Sequence, residues 1–298
     1  MERRNFLKLP LAISGAVLAT QALGIQSATA VTLTPLKGIG YSDKVRVDPN
    51  NSAYIIDGWK RIQSLNPQWW YNWNQRRFDG LGDTLGSKFV PMLWSDSPTR
   101  LATLEADLAS CNMPTRILGF NEPDLAGQAE MTTGEARTAW RALEKAAAVE
   151  KLQIGSPVTI SPNAWWMERF MTDATELEDP DLKIDFVTCH IYQNPDVATF
   201  LRKIDTLHER WGKPVWVTET AVADFSATSG IGTAKSTRYT RAQVDQYMAD
   251  LWPELQKRPW LLRFAWKTRN VNDNQMWFSA LFNDDGTLTS TGKLYASL

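Results

Sequence analysis

Glu122 and Glu219 each close a short apolar run of strand length. The first run is Arg116-Ile117-Leu118-Gly119-Phe120-Asn121-Glu122, followed by Pro123-Asp124. The second is Pro214-Val215-Trp216-Val217-Thr218-Glu219. A carboxylate is costly to bury unless it is partnered. Two of them at the carboxyl ends of strands therefore point to one shared reaction site. Paired carboxylates supply the acid, base and nucleophile of glycoside hydrolysis. In the retaining form one carboxyl is protonated and the other ionised, about 5–5.5 Å apart. Two carboxyls that close do not both ionise readily, so one keeps its proton near neutral pH.

The elements that must position this pair recur along the chain. Strand-length apolar runs span 36–41, 68–73, 88–94, 116–121, 153–158, 185–192, 214–219 and 261–266. Helical patterns lie between them, at 52–65, 99–109, 132–151, 163–173, 196–211 and 241–256. Thr132 with Glu135 forms a capping box at the start of the third. Continuous apolar strands separated by helices imply a parallel sheet covered by helices. Eight such units predict an α/β fold, a single closed (β/α)8 TIM barrel. An open doubly wound sheet is the alternative, and it would carry a Gly-rich phosphate turn that this sequence lacks. Residues 223–237, rich in Ser, Thr, Gly and Ala with few aromatics, read as a long loop after strand seven.

In a TIM barrel the site forms at the carboxyl ends of the strands. Those ends carry Trp73, Trp94, Asn121 with Glu122, His190, Tyr192, Glu219 and Trp266. Indoles and carboxylates suit a neutral polyhydroxylated substrate, with rings against sugar C–H faces and carboxylates on hydroxyls. No basic cluster is visible at the strand ends, which disfavours an anionic polysaccharide. His190 and Tyr192 share strand parity and face one side. Tyr192 can donate its hydroxyl to the nucleophile. Trp165 and Trp166 open the helix after strand five; adjacent helical positions diverge, so one of them at most faces the cleft. Trp165 is the one taken as a substrate platform. Two histidines without ligand spacing give no metal site, and no cofactor is expected. Cys111 and Cys189 are read as free thiols, Cys189 buried in its strand.

The ordered set of motifs resembles glycoside hydrolase family 128, TIM-barrel retaining β-1,3-glucanases. Its pieces are Tyr71-Asn72-Trp73, Pro91-Met92-Leu93-Trp94, Leu118 to Asp124, Ser156-Pro157, Asp185-Phe186-Val187 through His190-Ile191-Tyr192, Pro214 to Glu219, and Phe264-Ala265-Trp266. A C-terminal Gly286-Thr287-Leu288-Thr289 with Gly292 and Tyr295 completes it. The resemblance implies that Glu122 is the acid/base and Glu219 the nucleophile. It implies that Asn121 bonds the substrate 2-hydroxyl and that Trp266 forms an aromatic floor under the reacting sugar. It implies a secreted retaining endo-β-1,3-glucanase that acts on a β-glucan polysaccharide or oligosaccharide. Two alternatives stay open: a barrel glycosidase on mannan, xylan or β-1,4-glucan, and a non-catalytic glycan-binding barrel.

Residues 1–30 read as an export signal rather than as domain. Arg3-Arg4-Asn5-Phe6-Leu7-Lys8 is a twin-arginine n-region, a mild apolar stretch follows, and Ala28-Thr29-Ala30 suits a signal peptidase. The catalytic domain is then 31–298, and the expected location is periplasmic or extracellular in a bacterium. Without residues 1–30, 29 basic residues stand against 32 acidic ones, a net charge of −3. That near-neutral balance gives no reason to expect nucleic acid or, after signal removal, a membrane as partner. A monomer is expected.

Overall fold

The computed structural model describes residues 35–41, 58, 60–77, 86–111, 114–172 and 182–298. The predicted export signal and half of the first predicted helix, residues 52–57 and 59, lie outside the described residues.

Among the described residues the strands are β1 Leu36–Gly40, β2 Trp69–Tyr71, β3 Arg116–Ile117, β4 Gln153–Ile154, β5 Val187–Gln193, β6 Val215–Val222 and β7 Leu261–Lys267. Five pair in parallel in the order β2-β1-β7-β6-β5, and β3 pairs with β4. Single parallel bridges join these two pieces into a ring. Phe89 bridges Trp70, Met92 bridges Leu118, and Gly155 bridges Phe186 beside β5. The segment 89–92 is thus the eighth stave, and the fold is a (β/α)8 barrel. It stays bridge-only because Pro91 has no backbone N–H to donate to a ladder. Helices cover the ring: α1 Pro98–Ser110, α2 Thr133–Val149, α3 Trp165–Thr172, α4 Val197–Trp211, α5 Arg241–Gln256 and α6 Ser290–Ser297.

The helix starts follow local chemistry. Thr132 and Glu135 form the predicted capping box of α2, and Thr240 with Gln243 forms another on α5. The α4 helix begins on an Asp196 cap and ends on left-handed Gly212.

Alternate strand residues split between two cores. Trp70, Val187, Cys189, Val215, Val217, Phe264 and Trp266 pack outward under the helices. Trp69, Tyr71, Met92, Leu118, Phe186, Trp216 and Ala265 fill the barrel interior. There Phe186 stacks on Trp216 with ring centroids 4.0 Å apart. Gly38 is required at this level: a Cβ would meet the Trp69 indole at 2.2 Å. Both cysteines are free and buried.

One irregularity decides the site. Between Val217 and Thr220, β6 holds one residue more than β7 does between Phe264 and Trp266. It likewise holds one more against β5, where Cys189 pairs with Val217 but His190 pairs with Glu219. Without this bulge Glu219 would share the outward parity of Val217. The extra residue turns its carboxylate into the barrel mouth.

Candidate active site

The carboxylate of Glu219 is buried at the mouth, 4% exposed, and enclosed by donors. Its Oε1 accepts from Trp73 Nε1 at 2.6 Å and from the Tyr71 hydroxyl at 3.1 Å. Its Oε2 accepts from the Tyr192 hydroxyl and lies 3.6 Å from Lys267 Nζ, an ion-pair distance. His190 Nε2 lies 3.3 Å from Oε1, near enough for charge pairing but without hydrogen-bond alignment. Burial alone would raise the Glu219 pKa. His190, Lys267 and the Tyr192 and Trp73 donors outweigh it and hold the pKa at about 2. Glu219 is therefore ionised at any ordinary pH. Burial, then the Glu219 charge, pushes the Tyr71 and Tyr192 phenols well up, so both stay protonated donors.

Glu122 faces the same space with far fewer partners. Its Oε1 lies 2.8 Å from His190 Nδ1. The Glu122 backbone is left-handed, with φ of 45°, and its N–H donates to Val158 O at 2.7 Å. Trp73 is also left-handed, at φ 57°. Such conformations cost non-glycine residues about 1–3 kcal/mol and gather at functional sites. His190 thus bridges the two carboxylates from below.

The cleft above them has a volume of about 830 Å³ and is lined by Trp73, Trp94, Asn121, Glu122, Tyr192 and Glu219 among others. Asn121 is buried; its Nδ2 donates to Gln128 Oε1, and its Oδ1 has no hydrogen-bond partner among the described residues. Arg100 stacks over Trp94 with its guanidinium 5.7 Å from the ring centroid.

Several sequence expectations need correction. Trp266 is fully buried, packs outward against Tyr295, and donates its Nε1 to Ser279 O. It is a core residue and does not line the cleft, because the β7 parity that faces inward belongs to Ala265 and Lys267. His190 is also fully buried and does not line the cleft. It lies against both carboxylates instead, Nδ1 2.8 Å from Glu122 Oε1 and Nε2 3.3 Å from Glu219 Oε1. Trp165 is 69% exposed but lines a neighbouring groove, not the catalytic cleft. Cations are present too: Arg100, Lys267 and Arg269 all line the cleft. Lys267 lies 3.3 Å from the Trp73 ring centroid, and burial lowers its pKa to about 8 against the pull of Glu219. Arg269 pairs with Asp273 at 2.5 Å.

Sequence reasoning missed Tyr71, Lys267 and Phe225. The inward parity of Trp69, Tyr71 and Trp73 could have found Tyr71. Lys267 sits one residue past the assumed strand end. Phe225, 62% exposed at the cleft, is one of two aromatics, with Tyr239, between β6 and α5. Asp224 fixes that loop by accepting from Ser226 and Ser236.

A closed parallel barrel with an ionised, donor-wrapped carboxylate facing a second carboxyl across one imidazole defines a barrel glycoside hydrolase. Residues 50–295 match the glycosyl hydrolase catalytic core family, and the chain belongs to that family. Among solved structures it is similar to a family 128 (subgroup I) endo-β-1,3-glucanase from Amycolatopsis mediterranei in complex with laminarihexaose. That match has 21% identity and a TM-score of 0.66, covering 88% of this chain and 98% of the other. A subgroup II endo-β-1,3-glucanase from Pseudomonas viridiflava matches at 26% identity and TM-score 0.65, over 88% and 97% of the two chains. A subgroup III curdlan-specific exo-β-1,3-glucanase from Blastomyces gilchristii, in complex with glucose, matches at 24% and 0.62, over 88% and 98%. These are enzymes of the family that the sequence motifs resemble. No curated protein matches the chain by sequence.

Proposed function

We propose that this protein is an exported, retaining endo-β-1,3-glucanase. The observation that carries the mechanism is the asymmetry of the two carboxylates. Glu219 meets two phenol hydroxyls, an indole N–H and a lysine, whereas Glu122 meets a single imidazole nitrogen. A nucleophile must stay ionised; an acid/base must gain and lose a proton. Glu219 attacks the anomeric carbon while Glu122 donates its proton to the departing glycosidic oxygen. A covalent glycosyl–enzyme forms. Glu122 then takes a proton from water, which attacks the same carbon and releases Glu219. Asn121, beside Glu122 with its unpartnered Oδ1, bonds the 2-hydroxyl. Trp73, Trp94 and Phe225 offer rings to the sugar faces.

The β-1,3 linkage and endo mode rest on the family 128 motifs and on the activities of the Amycolatopsis and Pseudomonas enzymes. Export rests on the twin-arginine segment and the Ala28-Thr29-Ala30 site that follows it. Reducing-end release should be measured on laminarin, curdlan, mannan, xylan and carboxymethylcellulose. Laminarin and curdlan are the expected substrates. Glu122→Gln and Glu219→Gln should each lower turnover by about 10²–10⁴-fold with the fold intact. Cleavage of mannan or xylan with laminarin and curdlan inert would overturn the substrate, and near-wild-type activity in either variant would overturn the mechanism.

A further inference from the structure

A second groove of about 830 Å³ adjoins the catalytic cleft. It begins at Pro123, the residue after Glu122, and Leu125 lines both spaces. Its main feature is the Trp165 indole, 69% exposed at the start of α3. The neighbouring Trp166 is buried and donates to Met131 O at 2.7 Å, so it anchors the helix while Trp165 stands out. Arg169, four residues on, braces the Trp165 ring with its guanidinium 5.1 Å from the centroid.

The groove is preorganised. Ile160 N–H donates to Asp124 Oδ1 at 3.1 Å, and Gly127 N–H donates to Glu130 Oε2 at 3.1 Å. The Thr132–Glu135 capping box fixes the opposite wall. Such ties lower the ordering cost of binding. An exposed, braced indole beside carboxylates and threonine hydroxyls suits a polyhydroxylated ligand. Asp124, Glu130 and Glu135 outnumber Arg169, which disfavours an anionic one.

We propose that this groove is a second glycan-binding subsite, with Trp165 as its platform. It takes the neutral polysaccharide chain where that chain passes over Leu125 and out of the catalytic cleft. The inference rests on the glucanase reading, since continuity with the cleft names the occupant.

Trp165→Ala tests it through substrate length. An aryl laminaribioside short enough to stay in the catalytic cleft should keep its kcat/KM. Laminarin should show a KM about tenfold higher, and Trp165→Phe should recover most of that loss. Binding of laminarin to the Glu219→Gln variant should weaken equally when Trp165→Ala is added. Laminarin cleaved and bound equally with and without Trp165 would overturn the subsite and leave the glucanase reading standing. Equal losses on the short and long substrates would also overturn it. Laminarin neither bound nor cleaved by the otherwise unaltered protein would overturn both readings together.

Discussion

Tyr192→Phe isolates the electrostatics of the Glu219 carboxylate. The ordinary carboxyl pKa of 4.5 is drawn to about 2 in the folded protein. At about 1.4 kcal/mol per unit, that is about 3 kcal/mol of differential stabilisation. A depressed carboxyl pKa gives stability that is fully present above pH 4.5 and lost as pH falls through about 2. Tyr192 supplies the donor to Oε2, while Tyr71 and Trp73 serve Oε1. A hydrogen bond to a charged acceptor contributes about 1.5–3 kcal/mol, so its loss should raise the pKa by about 1–2 units. Phe keeps the ring and its packing, which confines the change to the hydroxyl. The assay is ¹³C NMR titration of a sample labelled at glutamate side chains, with Glu219→Gln identifying the signal. The acid limb of kcat/KM should move upward with it, and acid unfolding should begin at higher pH. A Glu219 titration unchanged by Tyr192→Phe would refute the reasoning. So would a wild-type titration near 4.5.

Further outcomes follow from other parts of the molecule. Lys267→Met should raise the same Glu219 titration by about 1–3 units, the range for an opposite charge at close approach, whereas Lys267→Arg should not. Gly38→Ala drives a Cβ into the Trp69 indole and should destabilise the barrel by about 1–3 kcal/mol, read as a lowered Tm; an unchanged Tm would contradict the packing described. N-terminal sequencing of the exported protein should begin near Val31, and an intact N-terminus on cytoplasmic protein would contradict export.

The barrel was legible because each stave is an apolar run ended by a polar or aromatic residue, and the runs recur between helical patterns. The 88–94 run was correctly placed even though Pro91 leaves it with single bridges only. Glu122 and Glu219 were legible as carboxylates closing apolar runs, although β6 continues past Glu219 to Val222, and the direction of Glu219 was not legible. A bulge sets it, and nothing in Val215-Trp216-Val217-Thr218-Glu219 announces an extra residue. Trp266 was misplaced by one register step. Strand length alone put the cleft at position 266, whereas the inward parity through Arg263 and Ala265 leads to Lys267. Tyr71 was hidden inside an apolar triplet because an aromatic there reads as core until its hydroxyl is located. The cleft cations Arg100 and Arg269 lie on a helix and a loop, so reading only strand ends could not collect them.

The central claim is that Glu122 is the acid/base and Glu219 the nucleophile of a retaining β-1,3-glucanase. The most direct measurement is the anomeric configuration of the azide product from Glu122→Ala acting on an activated aryl laminaribioside. With no acid needed for the leaving group, Glu219 should still form the glycosyl–enzyme. Azide should then enter from the opposite face and give the β-glycosyl azide. An α-glycosyl azide would reverse the two roles, and the absence of any azide product would contradict the covalent mechanism.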